Sequence, residues 1–133
     1  MYNQVTLTKE DGRLANKSKR KGSAFESQVA RYLAEELESD SIERRTLQGV
    51  NDRGDIAGVK INGKRAVIEC KAEKALRVSE YLREAETERK NDGAEFGVVV
   101  SKRRGVGEAR TGEQLVLMTL DTFARIVKGF ENE

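Results

Sequence analysis

Histidine, proline and tryptophan are absent from the 133 residues, and there is a single cysteine, Cys70. Without histidine there is no imidazole to act as base, to activate a nucleophile or to bind a metal. That excludes the usual His-dependent serine and cysteine hydrolases, HNH nucleases and His-ligated zinc hydrolases. One cysteine can form neither an internal disulfide nor a zinc cluster, which fits a reducing, cytoplasmic compartment. No apolar run approaches the ~20 residues needed to cross a bilayer, and the polar N-terminus lacks a signal-peptide pattern. An intracellular protein with no membrane partner is expected. Any catalysis must rest on carboxylates, Lys, Arg, hydroxyls or a hard metal ion.

What is present is charge. Apolar residues make up 37% of the chain and charged residues 36%, so a single domain of this size has a densely ionic surface. Aromatics are only 5%, yet the apolar residues fall in short periodic runs, which disordered chains lack. The formal net charge of +2 says little; its distribution says more. Residues 1–24 hold six basic residues against Glu10 and Asp11, and Lys102, Arg103, Arg104 and Arg110 cluster against Glu108. Such patches suit a local polyanion, or they are solvated loops.

Residues 1–21 read as a flexible basic N-terminal arm, with residues 22–133 forming the folded domain. Ser23 is a plausible N-cap for a helix to about Glu38, whose Phe25, Val29, Tyr32, Leu33 and Leu37 form one apolar face. Strands are expected over Ile42–Leu47, Asp55–Ile61 and Lys64–Lys71, the last two joined by an Asn62-Gly63 type I′ hairpin turn. A charged helix from Val78 to about Lys90, capped by Ser79, follows, and its many acids and arginines suggest a solvated face. Phe96–Val100 reads as a buried strand, residues 101–113 as a Gly- and Arg-rich loop and Gln114–Leu120 as a last strand. Asp121 then caps a final helix with Phe123, Ile126, Val127 and Phe130 on one side. The order α-β-β-β-α-β-β-α predicts an α/β domain, a central mixed sheet flanked by helices.

The informative stretch is Arg53-Gly54-Asp55-Ile56, followed after the hairpin by Ile68-Glu69-Cys70-Lys71. Strand alternation places Glu69 and Lys71 on one face, where charges at the edge of a buried surface need partners or a metal. Two carboxylates can hold Mg²⁺ or Mn²⁺, and a neighbouring Lys can orient water or stabilise developing negative charge. Glu26 is either a third acid at the core edge or an ordinary first-turn Glu stabilised by the helix dipole. Cys70, pointing the other way, reads as a small core residue.

Gly22-Ser23-x-x-Glu26, Gly54-Asp55-Ile56 and Ile68-Glu69-Cys70-Lys71, in this order, resemble the PD-(D/E)xK nuclease superfamily. Within it they are similar to the small Holliday-junction resolvases of the archaeal type, over roughly residues 22–104. The resemblance implies a restriction-endonuclease-like fold and metal-dependent DNA cleavage. Asp55, Glu69 and the Cys70 backbone carbonyl would be metal ligands, Lys71 the catalytic lysine and Glu26 an accessory acid. It also implies a homodimer acting on branched DNA such as four-way junctions, with Mg²⁺ as cofactor and Mn²⁺ as substitute. Lys19, Arg20, Lys21, Arg53, Lys102, Arg103, Arg104 and Arg110 are then candidate DNA contacts. A nicking or restriction-like endonuclease, or a non-catalytic DNA-binding module on the same fold, are the alternatives.

One departure is geometric. In an uninterrupted two-residue hairpin Ile61 opposes Lys64, so Asp55 opposes Cys70 and points away from Glu69. A shared site therefore requires a bulge, with Gly58 the natural place, or an Asp55 that precedes regular pairing.

Overall fold

The computed structural model describes the backbone of residues 9–45 and 54–131, and side chains over 22–45 and 54–129. Ten elements follow one another. They are α1 (Lys9–Glu36), β1 (Glu43–Arg44), β2 (Ile56–Ala57), β3 (Lys60–Ile61), β4 (Lys64–Lys71), α2 (Val78–Asp92), β5 (Phe96–Ser101), a 3-10 helix (Glu108–Glu113), β6 (Leu115–Leu117) and α3 (Leu120–Glu131). The protein is α/β, with a mixed, open six-stranded sheet in the order β1-β2-β4-β5-β6 and β3 continuing beside β4. Only β4 and β5 run parallel, joined by the α2 crossover; the other pairs are antiparallel.

The two faces of β4 feed two layers. Ala66, Ile68 and Cys70 pack with Phe25, Val29 and Ala30 of α1. On the other face Val99 of β5, paired with Glu69, packs against Tyr81 and Ala85 of α2. Full burial of a side chain such as Phe25 or Tyr81 stabilises the fold by roughly 1.5–3 kcal/mol each.

Several boundaries differ from expectation. The helix expected from Ser23 begins at Lys9, so residues 9–21 are helical and not an irregular arm. The stretch from Lys9 to Lys21 contains no Pro and no β-branched residue, and Lys, Arg, Glu, Leu and Ala favour helix. Ser23 is accordingly internal, and its hydroxyl accepts a hydrogen bond from Arg44 at 3.0 Å. Arg77, not Ser79, stands at the α2 N-cap, and no side chain caps that end. At α3 the Thr119 hydroxyl accepts from the Thr122 amide at 3.1 Å, which makes Thr119 the cap and leaves Asp121 in the first turn. The expected loop 101–113 contains the 3-10 helix. Within the first expected strand, residues 46 and 47 lie outside the described residues.

The hairpin turn is as expected: Asn62 and Gly63 have φ of 53° and 77°, the left-handed pair of a type I′ turn. So is the break beyond it. Ile61 pairs with Lys64 and Lys60 with Arg65, yet Ile56 pairs with Ile68. Val59 still receives the Ala66 amide at 2.9 Å, so Ala57 and Gly58 together face the single residue Val67. This is a β-bulge, and Gly58 takes the positive φ of 92°.

Candidate active site

The bulge moves the register by one residue. One step beyond the Ile56–Ile68 pair, Asp55 stands against Glu69 and no longer against Cys70. Two hydrogen bonds fix it there: the Asp55 amide donates to Ile68 O at 2.9 Å, and Cys70 N–H donates to Asp55 Oδ2 at 2.7 Å. Because a strand residue's N–H and C=O point to the same edge, the Cys70 carbonyl is also directed toward Asp55's side.

An open cleft of about 580 Å³ lies at this end of β4, lined by Glu26, Asp55, Glu69, Cys70 and Lys71 together with Gly22 and Ala72 to Lys74. All four sequence-predicted catalytic residues therefore line one cavity. Glu26 reaches it from α1, the opposite layer, and its Oε2 accepts from Arg44 Nε at 2.8 Å. Arg45, by contrast, is drawn away to Asp92 at 3.1 Å.

Lys71 is anchored from two elements, β4's own Glu69 and Glu84 of α2. Its Nζ lies 2.5 Å from Glu84 Oε2 and 3.5 Å from Glu69 Oε1, and 5.2 Å from the centroid of the Tyr81 ring. Burial pulls its pKa down, but the hydrogen bond to Glu84 and the charges of Glu69 and Glu84 outweigh this and hold it above its ordinary value. The ring is itself fixed, since Tyr81 OH lies 2.7 Å from Glu73 Oε2 and 2.8 Å from Ala75 O and its one proton is shared between these acceptors. Cys70 is buried, and burial first, then the charges of Asp55, Glu26, Glu69 and Glu88, raise its thiol far above the usual range. It is a core residue and not a nucleophile.

The sequence reading missed the part played by α2. Tyr81, Glu84, Ala85 and Glu88 form one stripe of the helix, and Tyr81, Ala85 and Glu88 are buried in it. Glu69, Glu84 and Glu88 bring carboxylate oxygens within 4.8 Å of one another, a trio able to hold a cation. The solvated-face expectation holds only for the outer side, where Arg77–Glu73 and Arg89–Glu86 are surface pairs. A signal was available: Glu84 and Glu88 fall three and seven residues after Tyr81, so a helix that buries Tyr81 turns these acids inward too.

The candidate DNA contacts separate into groups. A second cleft, about 240 Å³, shares the Ala72–Lys74 wall with the first and is completed by Lys102, Arg103, Arg104 and Gly105. Lys74, absent from the sequence reading, lines both clefts. Arg103 is partly engaged, its Nη1 donating to Glu113 O at 3.1 Å. Arg110 is clamped by both carboxylate oxygens of Glu113, at 2.6 and 2.7 Å. Lys19, Arg20 and Lys21 belong to the α1 backbone, but their side chains lie outside the described residues, as does Arg53 altogether.

Among the described residues no helix is long and apolar enough to cross a membrane. No protein-family model matches the chain, and neither a curated protein nor a solved structure does.

Proposed function

We propose that this protein is a metal-dependent DNA endonuclease of the PD-(D/E)xK kind, with a restriction-endonuclease-like fold, acting on branched DNA such as four-way junctions. The observation that carries the reading is the bulge-shifted register, which puts Asp55 opposite Glu69 in a cleft that also holds Lys71 and Glu26. A chain with no such chemistry has little reason to interrupt its hairpin so as to gather acids around a lysine.

The donor set fits a hard cation. Asp55 and Glu69, with the Cys70 carbonyl, offer only oxygens, and Glu26 lines the same cleft from α1, while the described carboxylates whose oxygens converge within 4.8 Å are Glu69, Glu84 and Glu88. Bound Mg²⁺, or Mn²⁺ in its place, supplies Lewis-acid polarisation of a phosphodiester and a more acidic water. The Lys71 ammonium, held in the charged form, serves as a hydrogen-bond donor to the phosphate oxygen that gains charge. Arg44, bonded to Glu26, restrains that carboxylate at the cleft wall.

The test is cleavage of labelled four-way junction, linear duplex and single strands with Mg²⁺, Mn²⁺ or chelator. Metal-dependent cutting with junction preferred is expected. Equal cutting of duplex and junction removes the resolvase assignment and leaves a nicking or restriction-like enzyme. Binding without cutting under every metal condition overturns the nuclease reading in favour of a DNA-binding module.

The cleft with Lys74, Lys102 and Arg104 is the natural path for the strand beyond the cut. Changing Lys102 and Arg104 together to Ala should flatten the slope of log affinity against log salt by ~2, about one unit per lost phosphate contact. Arg110→Ala, whose guanidinium serves Glu113, should leave the slope alone. Equal slopes for all three proteins would remove this cleft from the DNA path.

A twofold dimer suits paired cuts across a junction. The sheet edge β6 and helix α3 carry Val116, Leu120, Phe123 and Val127 exposed at 56%, 81%, 53% and 39%, an apolar strip fit for a second copy. Phe123→Asp is expected to yield monomers in sedimentation velocity, and a dimer that persists would place the interface elsewhere.

A further inference from the structure

The acid nearest to Lys71 is none of the cleft carboxylates but Glu84, on a helix that the site's own motif does not include. Its Oε2 lies 2.5 Å from Lys71 Nζ, against 3.5 Å for Glu69 Oε1. Lys71 lines the cleft and is 16% exposed in its side chain, whereas Glu84, 37% exposed, stands behind it on α2 and is not part of the cleft lining. Nζ also lies 5.2 Å from the centroid of the Tyr81 ring. That ring is 1% exposed and tied at its hydroxyl to Glu73 and to Ala75 O. An ammonium has three N–H donors. With one toward Glu84 and one toward Glu69, the third is left for a ligand in the cleft.

We propose that Glu84 is a positioning residue, its carboxylate holding the Lys71 ammonium between α2 and Glu69 so that the remaining donor is aimed at the scissile phosphate; this rests on the nuclease reading. Long flexible lysine side chains lose rotamer freedom when fixed. A charged partner on a packed helix removes that freedom before substrate arrives, and α2 is packed here through Tyr81 and Ala85. Displacing a reacting group by about 1 Å can cost ~10²-fold in rate.

The sign of the effect separates positioning from bulk charge. Glu84 is an acid beside a site that receives polyanions, so its charge alone should repel substrate. If charge were its whole effect, Glu84→Gln would lower KM and raise kcat/KM. As a positioning residue, Glu84→Gln should lower kcat about tenfold and Glu84→Ala about 10²-fold, with KM unchanged or lower. Thermal unfolding of both variants near that of the wild type shows that they are folded.

A second readout needs no cleavage. In ¹⁵N-labelled protein a hydrogen-bonded, shielded lysine ammonium gives a resolved ¹⁵Nζ signal, assigned here by its loss in Lys71→Arg protein. This signal is expected in the wild type and should broaden or vanish in Glu84→Ala. A kcat unchanged or raised in both folded Glu84 variants, or a Lys71 signal the same with and without Glu84, overturns the proposal. Wild-type protein that cuts no DNA overturns the nuclease reading itself, while the Lys71 signal still decides whether Glu84 holds the ammonium.

Discussion

Asp55→Asn protein should fold normally and cut DNA at ~10⁻³ of the wild-type rate, the loss expected when a metal-binding charge is removed from an electrostatically organised site. On the proposed reading, the charge of Asp55 and the hydrogen bond its side chain accepts have separable roles. Oδ2 accepts the Cys70 amide at 2.7 Å, where the strand ladder would otherwise end. An Asn side-chain oxygen can take that bond, so the strand end should survive and only the charge is lost. Asp55→Ala removes both and strands a buried N–H. It should therefore lose ~1–3 kcal/mol of stability in addition to activity. Denaturant unfolding of both variants beside a single-turnover assay reads the two effects apart. Cutting by the Asn variant at the wild-type rate would refute the assigned site, and equal stability of the two variants would refute the structural role of Oδ2.

Gly58 carries the second large effect, at a position that touches no substrate. A Cβ built there would lie 2.1 Å from Ser41 O and 2.8 Å from Ser41 C, and these are backbone atoms that cannot swing aside. The residue also has φ of 92°. Gly58→Ala is expected to destabilise the protein by ~3 kcal/mol or more, lowering Tm by roughly 10 °C. Gly63 is the matched control, since it has φ of 77° but nothing within 4 Å of an added Cβ. Its Ala variant should lose only ~1 kcal/mol. Deleting Gly58 removes the bulge but keeps the pairing beyond it, because Ala57 alone then faces Val67 and Asp55 still stands against Glu69. Deleted protein that folds should therefore keep Asp55 directed at the site and retain cutting. Loss of cutting by such folded protein would show that the bulge shapes the site by more than the register it sets.

How much of this was legible beforehand depended on the range of the interaction. The Asn62-Gly63 turn is local, and its two residues dictate their own backbone conformation. The bulge was deducible because Asp55 and Glu69 cannot share a face without one, given a two-residue turn. The inward side of α2 is not legible, since charge counting cannot tell a carboxylate facing water from one facing a half-buried ammonium contributed thirteen positions earlier, as Glu84 does with Lys71. The basic loop failed in the converse way. Arg103 and Arg110 look like free phosphate contacts in sequence, yet the 3-10 helix folds Glu113 back onto both. The extent of α1 is not legible from charge, because a lysine-rich stretch reads as irregular on that criterion although its residue types favour helix.

The parallel pairing of β4 with β5 has a bearing on when the chain becomes competent. Asp55 and Glu69 can meet once the hairpin forms, but Glu84 and the ring of Tyr81 reach Lys71 only after the crossover helix has docked and β5 has zipped alongside. Parallel, non-local contacts of that sort are the slow part of assembly, because loop closure costs entropy before any contact compensates. On the proposed nuclease reading, a nascent or partly melted chain thus presents its acids without an anchored lysine, and cutting competence should arrive only with the last layer.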